Sequence, residues 1–202
     1  MTIMFRIMSV AVVACALASC QNEPAAPPMA AAGLDIPHIS QETLLCVPTS
    51  AAMILSFYHD PQSPRYLKSL ASGHPLPAGG TFNDYSITYY RDLIRAVGYL
   101  GYRWDDVELT DSHDDFGQGL ARIESELQAG HPVMIDLSLA QGGHTMVVRG
   151  FDAQGQTISV VDPAQPAPGR HDMSFAQLEA DWNEHAYGNH GRAMIVTRPK
   201  TS

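Results

Sequence analysis

The chain has 202 residues and carries 12 Lys and Arg against 21 Asp and Glu, a net charge of −9 with histidine neutral. With no basic run anywhere, that balance argues against a nucleic-acid partner. No Gly-rich loop ends in Lys-Ser or Lys-Thr to cradle a phosphate, and the histidines show no HxH or HxxxH spacing that would suit a metal, so no cofactor is expected.

Taken in order, Met1 to Cys20 reads as a secretion signal: Arg6 supplies a positive start, Ile7 to Leu17 is apolar, and small residues follow. An apolar run of that length is too short to remain as a membrane-spanning helix. Its end, Leu17-Ala18-Ser19-Cys20, resembles the lipobox of bacterial lipoproteins, in which the cysteine is lipidated and becomes the first mature residue. Gln21 rather than Asp after Cys20 implies, by the same resemblance, the outer membrane facing the periplasm. Residues 21–33, rich in Pro and Ala without periodicity, read as a tether. What remains, 34–202, is enough for one compact domain with a single core.

Leu34 to Ser40 is expected to run extended into Gln41. Val47, Ala51, Ile54, Leu55 and Tyr58 recur at helical spacing, and Pro48 suits a first turn, so a helix is expected from Cys46 to about Tyr58. Ser63-Pro64 opens a short helix to about Ala71, and Gly73 to Gly80 reads as a loop. A longer helix is expected from Asn83 or Asp84 to Val97, stopped by Gly98. A strand follows before Leu109. Ser112, with an acid three residues on, caps a helix ending at Ala129-Gly130. Strands are expected over Val133–Leu139, His144–Phe151 and Gln156–Asp162. Pro163–Arg170 reads as a loop, Ser174 as the cap of a last helix, and Ala193–Val196 as a closing strand. Helices first and antiparallel strands afterwards make an α+β order.

The cysteines narrow the chemistry. Cys15 would leave with the signal and Cys20, by the lipobox resemblance, would carry lipid, so Cys46 is the only thiol expected to remain in an exported chain, where it could not form an internal disulfide and would risk oxidation. At a helix N-terminus its thiolate is favoured, and the ordinary thiol pKa of about 8.5 is expected to fall beside an imidazolium. Gln41, five residues upstream, can offer a side-chain N–H to an oxyanion. If Asp152 to Gly155 form the turn of a hairpin folded about Ala153, His144 lies opposite Asp162 on one face. Asp162 then orients the imidazole, and His144 exchanges a proton with Cys46. Gly142 and Gly143, just before His144, let a substrate backbone approach. The bland alternative is a buried, inert cysteine at the head of a core helix.

The segments QETLLCVPTSAAMIL and GHPVMIDLSLAQGGHTMVVRGFDAQGQTISVVDP resemble the bacteriocin-processing, double-glycine leader peptidases and their stand-alone relatives, which are papain-like cysteine peptidases. The resemblance implies a papain-like fold, with a helical half bearing the Cys packed on an antiparallel sheet bearing His and Asp. It implies Cys46 as nucleophile, His144 as base, Asp162 as orienting acid and Gln41 as oxyanion residue. Two departures stand out: Val47-Pro48 follows the cysteine where relatives commonly have Gly-Pro, and Thr145 stands where an aromatic is usual. No transporter domain accompanies the peptidase segment, so bacteriocin export is not implied. The function expected is hydrolysis of a peptide bond in an exported protein or peptide at the cell envelope. The alternatives are a catalytically weak lipoprotein that binds a peptide or partner protein in the same cleft, and a murein-peptide endopeptidase.

Overall fold

The structure is a computed structural model in which residues 33–73, 86–186 and 191–201 are described. The signal with Cys20, nearly all of the tether, and the loop from residue 74 to residue 80 lie outside them. Along the chain come α1 (Cys46–Phe57), α2 (Pro64–Ala71), α3 (Tyr90–Tyr99), β1 (Asp105–Leu109), α4 (His113–Gln128), β2 (Val133–Leu139) and β3 (Gly142–Asp152). They are followed by β4 (Thr157–Val161), β5 (Arg170–Ser174), α5 (Phe175–Asp181) and β6 (Arg192–Val196).

The strands form one antiparallel sheet in the order β1-β6-β2-β3-β4-β5. Strand alternation sends successive side chains to opposite faces. Met134, Val147, Val161 and Ile195 pack with residues of α1 and α3. Val133, Ile135, Val148, Val160 and Met194 pack on the other face with Phe116, Ile123 and Leu127 of α4 and with Trp182. The α+β class is the one expected; in addition, helices cover both faces of the sheet, α1 and α3 on one and α4 on the other. From Cys46 to Leu55 every α1 residue is buried. Such all-round burial marks a central helix, not a surface one with a single apolar stripe.

The sequence-derived caps form. Ser63, Ser112 and Ser174 each accept a hydrogen bond from the backbone N–H three residues on, at 3.1 Å in each case. Other boundaries move. Residues 86–89 are not helical and α3 starts at Tyr90. The buried Lys68 ammonium donates to the carbonyls of Ser86 (2.7 Å) and Ile87 (3.3 Å), acceptors that a helix beginning at Asn83 or Asp84 would need for its own N–H groups. Gly98 lies within α3 and does not stop it. Gly101, at φ +87°, is the left-handed residue after the helix, and its N–H bonds back to the Gly98 carbonyl. The expected loop 163–170 leads into a strand, β5, whose polar, exposed sequence gave no alternation to read.

The β3–β4 hairpin is also out of the expected register. A bulge between Val148 and Gly150 leaves Val148 paired with Val160 and Val147 with Val161. Direct opposition of His144 and Asp162 is therefore not what the sheet provides. Continued outward, this register places Asp162 across from Met146, two residues along β3 from His144. Since two residues preserve the face, the pair can still meet diagonally.

Candidate active site

Cys46, the one free cysteine among the described residues, is the first residue of α1. It is 7% exposed, so the expectation of a buried core cysteine is half right. Yet Cys46 also lines an open cleft of about 520 Å³ together with Gln41, Val47, Gly142, Gly143, His144 and Asp162. All six residues assigned to the site from sequence are thus brought to one concavity.

His144 Nε2 is 2.7 Å from Asp162 Oδ1, the diagonal contact that the shifted register allows. The same Asp162 oxygen accepts the Ala164 N–H at 2.8 Å, so the carboxylate is held from both sides. His144 also shares a side-chain hydrogen bond with Cys46. With Nε2 turned to Asp162, Nδ1 is the ring nitrogen that meets the sulfur. Burial alone would push the His144 pKa down. The hydrogen bonds and charges of Asp162 and Cys46 outweigh it and lift the value to about 9. For Asp162 burial acts upward, but the bonds from His144 and Ala164 prevail and hold the carboxyl below the usual carboxylate range. The imidazole is therefore cationic at neutral pH, between a carboxylate and the sulfur.

Gln41 reaches the cleft from the segment before α1. Its N–H donates to the Pro163 carbonyl at 2.8 Å, and its Oε1 is buried with no hydrogen-bond partner. Between Gln41 and Cys46 the chain turns at Leu44, whose φ of +61° is unusual for a residue with a branched side chain. Gly142, at φ +115°, opens β3, and a Cβ placed there would meet nothing within 4 Å. That conformation, more than crowding, requires glycine.

Sequence reasoning missed the cleft's apolar rim. Leu44 (52% exposed) and Ile87 (44%) both line it, as do Thr88, Leu139 and Gln141. The loop expected over Pro163–Arg170 contributes Ala164 and Gln165. His185 lies in the turn after α5 and is not among the lining residues, while Tyr187, Asn189 and His190 fall outside the described residues. No group of three His, Cys, Asp or Glu side chains that could hold a metal occurs among the described residues, and no helix among them is long and apolar enough to cross a membrane.

The Peptidase_C39 like family model matches residues 33–190. Among solved structures, the peptidase domain of Streptococcus ComA, a bi-functional ABC transporter involved in a quorum-sensing pathway, aligns with a TM-score of 0.56 at 17% identity, over 80% of this chain and 97% of that one. A double glycine motif protease from an AMS/PCAT transporter, solved in complex with its leader peptide, aligns with a TM-score of 0.53 at 16% identity, over 82% and 93%. No curated protein matches. At these identities the structural likeness establishes the fold, which is that of a papain-like cysteine peptidase.

Proposed function

Since the chain belongs to the Peptidase C39-like family, we propose that it is a cysteine peptidase that cleaves a peptide bond through Cys46, His144, Asp162 and Gln41. The observation that carries this reading is the imidazole of His144, hydrogen-bonded to Asp162 on one side and to Cys46 on the other at the cleft wall. An imidazolium beside a thiol at a helix N-terminus favours the thiolate–imidazolium pair.

In the reaction the Cys46 sulfur adds to the substrate carbonyl carbon, and the carbonyl oxygen takes up the negative charge. The Gln41 side-chain N–H₂ stabilises that oxygen, its Oε1 being turned into the protein, together with the Cys46 N–H at the head of α1. His144 gives its proton to the departing amine. It then takes one from the water that attacks the acyl-enzyme, which regenerates the thiolate–imidazolium pair. Asp162 fixes the ring without accepting the proton. Apart from Cys46, His144 and Asp162, the described residues that line the cleft carry no charged side chain, which suits uncharged residues around the scissile bond.

The substrate is an exported protein or peptide met at the cell envelope, where lipid on Cys20 tethers the domain. The solved relative bound to its leader peptide supports a peptide substrate. Replacing Cys46 with Ala should abolish labelling by a peptidyl chloromethyl ketone and any amidase activity. Activity that survives in Cys46→Ala would sink the assignment. Cys20→Ala should release the protein from membranes.

A further inference from the structure

α1 carries the sulfur and β3 carries the imidazole, so their relative placement decides whether the two groups meet. Most of the helix–sheet contact is apolar, made by residues such as Ala51, Ile54, Leu55 and Val147. Apolar packing has no directionality and tolerates small slides. Hydrogen bonds do not.

Ser50 is one turn beyond Cys46 and therefore on the same side of α1. Its hydroxyl donates to the backbone carbonyl of Thr145 at 3.2 Å, in a fully buried setting. Thr145 is the residue next to His144 and lies beyond the last β3–β4 pair, Val147 with Val161. The helix thus bonds the backbone beside His144 at a point beyond the β3–β4 pairing. Thr145 is itself fixed: its hydroxyl donates to the buried Asp136 carboxylate across the β2–β3 ladder, where the two residues are paired. Phenylalanine at position 145, with no donor, could not make that bond.

We propose that Ser50 is a positioning residue, whose bond to the Thr145 carbonyl locks the helix bearing Cys46 against the strand bearing His144 in the register that lets sulfur and imidazole touch. The proposal rests on the reading of Cys46 and His144 as a reacting pair.

At its far end α1 offers an internal control. The hydroxyl of Tyr58, the residue that caps α1, pairs at 2.9 Å with Oγ1 of Thr197, the residue after β6, and neither residue lines the cleft. The test is the rate of Cys46 carboxamidomethylation by iodoacetamide, read by mass spectrometry at that residue as a function of pH. The full chain is compared with its Ser50→Ala, Ser50→Thr and Tyr58→Phe variants. Ala is a good helix former, so Ser50→Ala should fold. It should lose about three- to tenfold in rate at about pH 6, the worth of one buried hydrogen bond. Ser50→Thr keeps the hydroxyl and should keep the wild-type curve. Tyr58→Phe should unfold at lower temperature yet react like wild type. Coincident curves for Ser50→Ala and wild type overturn the proposal. So does an equal loss in Ser50→Thr, which would make side-chain volume, not the hydrogen bond, the determinant. A wild-type protein with the reactivity of an ordinary thiol overturns instead the reading of the pair itself.

Discussion

Gln41 and Pro163 are joined through the backbone, N–H to carbonyl at 2.8 Å, and this one bond ties the segment before the sulfur to the loop after the carboxylate. The residue proposed for the oxyanion and the residue that orients the imidazole are thereby registered to each other, although they come from opposite ends of the domain. Gln41→Ala should lower kcat by about 10²-fold, the usual cost of one oxyanion donor. Because the alkylation of Cys46 by iodoacetamide builds no oxyanion, its rate should stay close to wild type. A parallel fall in both would mean that Gln41 supports the thiol and not the transition state.

The elevated His144 pKa has a consequence for stability, and its sign is fixed. A folded-state value near 9, against an ordinary 6.5, contributes stability in full below the ordinary value, and the contribution is lost as pH rises through about 9. The thermal midpoint should therefore decline over that alkaline interval, and His144→Gln should flatten the decline. Asp162, held low, contributes in the opposite sense: its share is present above the ordinary carboxylate value and is lost as pH falls through its depressed folded value. NMR titration of the His144 ring should also show its pKa dropping once Cys46 is alkylated, because the thiolate that helps to raise it is gone.

Two glycines of α4 should respond oppositely to the same change. A Cβ at Gly119 would lie 2.7 Å from the ring of Trp182, which is fully buried and anchored by its indole N–H to the Ala193 carbonyl at 2.9 Å. At Gly117 a Cβ would meet nothing within 4 Å. Gly119→Ala should cost about 1–3 kcal/mol through overpacking, whereas Gly117→Ala should gain about 0.5–1 kcal/mol from helix propensity. Denaturant titration of the two variants checks both signs.

What could be read from the sequence was what depends on period and on chemical type. Apolar spacing located α1 and α4, serine caps located three helix starts, and the isolated thiol with a histidine and an acid of matching parity pointed to residues that line one cleft. Residue parity survived because the register inside the bulge, Val148 with Val160, differs by two residues from a hairpin folded about Ala153, which keeps His144 and Asp162 on one face while removing their direct opposition. Features set by distant partners were illegible. The start of α3 depends on Lys68 reaching the carbonyls of Ser86 and Ile87, and β5 forms because it completes an edge, not because its sequence alternates. Leu44 and Ile87 became cleft residues only once the chain's path was known.

The most direct test of the central claim is the pH dependence of Cys46 alkylation by iodoacetamide, measured with His144 present and with His144→Ala. Thiolate–imidazolium pairing predicts reactivity that persists well below the ordinary thiol pKa of about 8.5 in the intact protein, and a curve that returns to about that value when the ring is removed. Two superimposed curves, each with an ordinary thiol midpoint, would contradict it.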